Sequence, residues 1–155
     1  MLTSDVRENA DVCTTAFYLP GRKRAVAGRI RTVRCFEDNA LIKTAMTEAS
    51  QGEVLVIDGG GSLRTALMGD QIAGAALASG WAGAIVFGAV RDSAAIDALD
   101  FHVKALGTNP RKSSKSGAGE RDVAIEVGGV RFVPGWFLYS DDDGVVVVAD
   151  PVSNP

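Results

Sequence analysis

The chain has 155 residues, with a hydrophobic fraction of 46% and a charged fraction of 23%. That length supports a single domain, 1–155, with a real core, and that balance excludes a disordered or low-complexity chain. A net charge of −3 and a pI near 5.1 exclude a general nucleic-acid binder, which needs a basic excess to neutralise phosphate.

Residues 1–24 are weakly patterned. Their start, MLTSDVRENADVC, lacks the basic and apolar segments of a signal peptide, so a cytoplasmic protein is expected. Cys13 and Cys35 fit no zinc spacing and are expected as buried or idle thiols in a reducing compartment. Leu19-Pro20-Gly21 with Arg22-Lys23-Arg24 reads as a turn leading into a strand, and Ala25 to Val33 alternates apolar and polar positions as a half-buried strand does. Glu37 to Ala49 carries helical spacing and stops before Gly52, and Glu53 to Asp58 is an apolar run of the kind buried in parallel sheets.

Gly59-Gly60-Gly61-Ser62 invites comparison with a phosphate-binding loop. It lacks the Gly-Lys-Ser/Thr ending of a Walker loop, and Arg64 stands where a dinucleotide fingerprint needs its third glycine, so a tight turn is expected. Leu63 to Met68 reads as a strand or a short helix, with the strand favoured. The uncharged run Ile72 to Val90 is about long enough to span a bilayer, but it is mostly Ala and Gly and is broken by Ser79-Gly80. A helix, a turn and a buried strand account for it, with no membrane partner.

Ser93 to Leu99 reads as a short helix and His102 to Leu106 as a strand. His102, the sole histidine, is expected as a structural residue with its ring satisfied. Residues 107–122 form a polar, Gly-rich loop. Its Arg111, Lys112 and Lys115 could hold an anion, although charge runs are usually solvated surface, and that is the expectation here. The last third is a β run: Val123 to Val127, a Gly128-Gly129 turn, Val130 to Val133, Trp136 to Ser140, an Asp-Gly turn, and Val145 to Ala149. Asp141-Asp142-Asp143 lacks the spacing of a calcium-binding EF-hand. The sum is a mixed α/β layered domain.

One constellation carries chemistry. Asp70 opens the Ala-rich helix, and Arg91-Asp92 follow the next strand after twenty intervening residues. A helix start and the end of a following parallel strand share one edge of an α/β sheet, the edge where such folds bind ligands. Two carboxylates and a guanidinium at a helix N-terminus suit a divalent cation together with an anionic substrate. The bland alternative is that Asp70 caps the helix while Arg91 and Asp92 form a surface pair.

Asp70, twenty residues, then Arg91-Asp92 matches the D-x20-R-D pattern of the 4-hydroxy-4-methyl-2-oxoglutarate aldolase family, which also contains the regulator of ribonuclease activity A. The resemblance continues through FGAVRD, KALGTNPRKS, GERDV, GGVRFVPG and LYSDDDGVVVV and covers about residues 25–150. It implies a swivelling β/β/α domain, with mixed sheets and flanking helices, that forms homotrimers with sites between subunits. It further implies that Gly69, Asp70, Gln71 and Ile72 form the helix start that holds a pyruvate carboxylate. Arg91 would bind the 2-oxo acid substrate, Asp92 would ligate Mg2+ or Mn2+, and Asp70 would orient water on the metal. Some relatives carry a methyltransferase label, but this chain has no Gly-rich S-adenosylmethionine loop followed by an acidic partner. Two departures stand out: the aldolase pattern extends to R-D-x2-E/D where this chain has Ala95, and active aldolases carry a C-terminal acidic residue whereas this chain ends soon after Asp150. The resemblance therefore implies either a metal-dependent aldolase and oxaloacetate decarboxylase of low turnover, or a regulator that binds ribonuclease E.

Overall fold

A computed structural model describes residues 10–18 and 20–149. Leu19, part of the turn expected before the first long strand, lies outside the described residues, as do 1–9 and the C-terminal stretch from Asp150. The central elements are strands β2 (Val26–Arg34), β3 (Val54–Asp58), β4 (Ala66–Met68), β5 (Gly83–Val90) and β6 (His102–Thr108). The helices are α1 (Ala40–Met46), α2 (Asp70–Ala78) and α3 (Ser93–Asp97). The C-terminal strands are β8 (Ile125–Val127), β9 (Val130–Phe132), β10 (Phe137–Asp141) and β11 (Gly144–Val148), with the short strands β1 (Asp11–Val12) and β7 (Glu120–Arg121) at the margins.

Nine strands form one mixed sheet, ordered β1-β11-β10-β2-β3-β5-β4, with β6 also on β5 and β7 on β2. β2, β3, β5 and β6 run parallel, and β10 joins β2 antiparallel. Alternation splits β3 between two cores. Leu55 and Ile57 pack under the helices with Ile42, Met46, Ala73 and Trp81. Val54 and Val56 face Ile85, Phe87, Phe132 and Leu138 beneath the β8–β9 hairpin. The result is helices on one side of the parallel strands and further β structure on the other, as a swivelling β/β/α arrangement requires. Among the described residues, no helix is long and apolar enough to cross a membrane.

The glycine triplet positions the site. Gly60 and Gly61 adopt φ of 65° and 75°, which glycine tolerates without steric cost. The amides of Gly59 and Gly61 both donate to Phe87 O. The chain thus leaves the sheet where β3 ends and returns as β4, which takes up the same edge of β5 two residues further on, with Ala66 opposite Ala89 and Met68 opposite Val90. The tight turn expected from the sequence is what lets β4 deliver α2 to the end of β5.

The first helix starts later than expected, at Ala40 rather than Glu37. Glu37 sits at φ 53°, outside helical geometry, and Asp38 is buried. The carboxylate of Asp38 accepts from the amides of Ala40, Ser116 and Gly117 and from the Ser116 hydroxyl. Residues 37–39 therefore pair with the 109–117 loop instead of beginning a helix. Both cysteines are free and buried, and burial pushes the Cys35 thiol up to about 12. His102 lies within β6 with Nδ1 2.8 Å from Lys23 O and Nε2 2.7 Å from Ser140 Oγ, as expected of a satisfied structural histidine.

Candidate active site at the α2 start

Strand β4 runs parallel to the end of β5, so the start of α2 and the residue after β5 emerge together. The Arg91 amide donates to Met68 O at 2.9 Å, which locks Arg91 beside Gly69. Asp92 then turns sharply, at φ 56° and ψ 42°, and α3 begins. The backbone thus brings Gly69, the residue before Asp70, against Arg91 and Asp92.

Gly69 makes the contact close. A Cβ at this residue would lie 2.8 Å from Asp92 Oδ2, 3.1 Å from Arg91 Cγ and 3.2 Å from Arg91 Nε. The space that a side chain would fill is occupied by the side chains of Arg91 and Asp92. Gly69 is also the N-cap of α2, and no side chain caps the helix. The first intrahelical bond is Ala73 N–H to Gly69 O, so the amides of Asp70, Gln71 and Ile72 have no intrahelical acceptor. Together with the helix dipole they form a surface suited to an anion.

The bland alternative describes this geometry in part. Asp70 is the first residue inside the helix rather than its cap, and its side chain makes no capping bond. Arg91 and Asp92 do form the expected surface pair, Nε to Oδ2 at 3.9 Å with the side chains 33% and 43% exposed, and a pair this long and exposed is weak. Asp92 likewise makes no capping bond to α3. Among the described residues no cluster of three or more His, Cys, Asp or Glu side chains gathers around a point. A cation here would rest on the Asp92 carboxylate with non-protein ligands completing its shell, an arrangement Mg2+ accepts because it usually keeps several waters.

A cavity of about 120 Å3 opens against this corner. Gly69, Gln71, Ile72 and Arg91 line it, whereas Asp70 and Asp92 are not part of its lining. Three lysines also face it: Lys43 from α1, and Lys112 and Lys115 from the 109–117 loop. The expectation of a solvated loop around Lys112 and Lys115 is therefore incomplete, because the loop is exposed on one side and walls the cavity on the other. Ala95 lies on α3, exposed and three residues past Asp92, and it brings no polar atom to the corner.

Residues 3–147 match the family model described as RraA-like: Aldolase/RraA. A structure from Geobacillus kaustophilus HTA426, described as S-adenosylmethionine: 2-dimethylmenaquinone methyltransferase, is 47% identical with a TM-score of 0.92, covering 96% of this chain and 93% of its own. The RNA-processing inhibitor RraA from Thermus thermophilis is 44% identical with a TM-score of 0.94, covering 97% and 92%. Streptomyces coelicolor RraAS2, described as an unusual member of the RNase ES inhibitor RraA protein family, is 30% identical with a TM-score of 0.75, covering 89% and 72%. A match over nearly the whole sequence, with the fold shared at this level, means that the chain belongs to the RraA-like family, whose description joins aldolases with RraA.

Proposed function

We propose that this protein is a divalent-metal-dependent, class II pyruvate-type aldolase that cleaves 4-hydroxy-4-methyl-2-oxoglutarate to pyruvate and decarboxylates oxaloacetate as a side activity. The observation that carries this reading is the corner at Gly69, where a free helix N-terminus, a guanidinium and a loosely paired carboxylate meet in space that any larger residue would fill. The donor set fits Mg2+ or Mn2+, which would supply Lewis-acid polarisation of the 2-oxo acid. Asp92 would hold the cation, and Asp70 would orient a neighbouring water. The amides of Asp70, Gln71 and Ile72, with Gly69 leaving the approach open, would bind the substrate carboxylate. Arg91 would take two oxygens with its planar fork and offset the negative charge that develops as the carbon–carbon bond breaks. A pre-aimed donor of this kind typically contributes about 3–4 kcal/mol to the barrier. No lysine amine is required for the chemistry. The working unit in this proposal is one domain assembled as a cytoplasmic homotrimer with shared sites.

A second reading has its own support. Ala95 cannot move a proton, and relatives at 44% and 30% identity are described as an RNA-processing inhibitor and as a member of an RNase ES inhibitor family. On that reading the chain is a trimeric regulator that binds ribonuclease E and keeps the metal corner without full turnover.

Position 95 separates the two. A carboxylate one helical turn past Asp92 could reach water near the cation and assist proton transfer, an effect of roughly 10²–10⁴-fold. Pyruvate release from oxaloacetate, with and without Mg2+, is expected to be slow in the wild type and faster in Ala95→Glu, with the trimer intact. A brisk wild type that Ala95→Glu leaves unimproved would show that another acid already serves. An inert wild type rescued by the substitution would favour the regulator on a retained aldolase scaffold.

A further inference from the structure

Two neighbouring carboxylates stand behind the cavity wall and fasten different elements. Glu37 sits at φ 53°, and its carboxylate accepts from Ser62 Oγ and Arg64 Nε, each at 2.7 Å. It thereby grips the turn that leads into β4. Asp38 is buried and turns to the 109–117 loop. Its Oδ2 accepts from the Ser116 amide at 2.7 Å and from the Ser116 hydroxyl. Its Oδ1 accepts from the amides of Ala40 at 3.1 Å and Gly117 at 3.2 Å. Burial opposes ionisation of Asp38, but the bonds from Ser116, Ala40 and Gly117 outweigh it and hold the carboxyl below its ordinary range.

The loop depends on such bonds. Every residue from Arg111 to Ser116 except Ser113 is exposed, so apolar burial does little to hold the stretch. Its other ties are Ser114 N–H to Glu37 O, Asn39 N–H to Ser114 O, Ala66 N–H to Arg111 O, and Ser113 Oγ to Ala66 O at 2.7 Å. The Asp38–Ser116 contact lies directly behind the cavity, because Asn39, next to Asp38, and Lys115, next to Ser116, both line it. An amide cannot replace this carboxylate. It has one acceptor oxygen, so in either orientation its NH2 group faces donors that Asp38 now satisfies.

We propose that Asp38 is a positioning residue: it holds the 109–117 loop in place as a wall of the cavity that Arg91 also lines, and losing its charge weakens 2-oxo acid binding without disturbing the cation at Asp92. The proposal rests on the function proposed above, because that reading places the substrate in this cavity.

The test compares the full-length wild type with Asp38→Asn and Ser116→Ala in three measurements that do not depend on turnover. The first is limited digestion with trypsin, read by mass spectrometry at Arg111, Lys112 and Lys115. Cleavage there needs local opening of the loop, and Asp38→Asn should speed it by about tenfold or more. The second is pyruvate affinity, titrated calorimetrically in excess Mg2+, which should weaken by about tenfold in the same variant. The third is Mn2+ affinity without pyruvate, followed by the paramagnetic resonance of the free ion, which should stay unchanged. Ser116→Ala removes only the hydroxyl bond and should give the same pattern at smaller size with the melting temperature preserved. It decides the matter alone where Asp38→Asn does not fold. A merely structural role would lower cation affinity, pyruvate affinity and melting temperature together, and that result would overturn the proposal. Unchanged cleavage, or faster cleavage with pyruvate affinity unchanged, would overturn it too while the proposed function stands. A wild type that binds no pyruvate in excess Mg2+ would overturn the proposed function and this role with it.

Discussion

Replacing Gly69 with alanine adds one methyl group where the structure has least room for it. The backbone itself permits the change, because Gly69 lies at φ −126° and ψ −168°, extended geometry open to any residue. The new Cβ would sit 2.8 Å from Asp92 Oδ2 and 3.1 Å from Arg91 Cγ. Restoring ordinary contact means moving the carboxylate by about 0.6 Å and the guanidinium stem by a few tenths of that order. These are ends of partly exposed side chains, so folding should change little, within about 1 kcal/mol, with the poorer N-cap set against a less flexible unfolded chain. Catalysis is less forgiving, since a misplacement of about 1 Å can cost about 10²-fold. The expected outcome is a trimer that melts near the wild-type temperature but loses about tenfold or more in Mg2+-dependent pyruvate release and in pyruvate affinity. Gly83→Ala is the control, because its Cβ would meet His102 O at 2.5 Å in buried backbone and should destabilise the fold by about 1–3 kcal/mol. Gly69→Ala with unchanged melting, turnover and pyruvate affinity would refute the claim that the empty space at Gly69 defines the site.

Asp92→Asn should abolish metal-dependent pyruvate release without shifting the melting temperature, and undiminished release would remove Asp92 from the mechanism. His102 should set an acid limit on stability. Burial pulls its pKa from 6.5 down to about 4, so the unfolded chain takes up a proton before the folded one does. Stability from this group is complete above about pH 6.5 and is lost as pH falls towards 4, by on the order of 3 kcal/mol. Urea midpoints at pH 7.5 and pH 4.5 should show that loss in the wild type, and a flatter profile in His102→Gln; equal slopes in both would exclude His102 as the source. Light scattering at micromolar concentration should give about three times 16.1 kDa, and a clean monomer would contradict the shared site.

The sequence carried the site's outline because two local patterns suffice for it. Alternation over 25–33 and the apolar runs 53–58 and 84–87 point to strands, found at Val26–Arg34, Val54–Asp58 and Gly83–Val90, and a helix start and a strand end in a parallel layer share one edge. What escaped was held by long-range contacts. The Asp38 carboxylate is satisfied by Ser116, 78 residues away, so a sequence-based helix start at Glu37 mistakes a loop anchor for the first helical turn. The basic loop reads as solvated for the same reason, since its other anchor, Ala66 O, is 47 residues from Ser113. The strand expected within Leu63 to Met68 is present but shorter, as Ala66–Met68, and it sets the height at which α2 begins. The one signal that could have found the lysine wall was the excess of cations in a single loop of an acidic chain.

The backbone at Asp92 bears on whether the corner is functional or residual. A non-glycine residue in the left-handed region costs about 1–2 kcal/mol, although aspartate is among the residues that adopt it most readily, as Asp122 also does. A plain strand-to-helix turn would be served more cheaply by glycine, or by an aspartate whose carboxylate capped the helix it precedes. Asp92 does neither: its side chain makes no capping bond to α3 and lies against the side-chain-free face of Gly69. Strain kept at Asp92, whose carboxylate otherwise makes only a loose pair with Arg91, motivates the proposal that this group binds a ligand. The same logic does not extend to Ala95, which is relaxed, exposed and helical. On the function proposed above, the corner would hold a cation and an anion, and Ala95, one helical turn away, would set the rate at which they turn over.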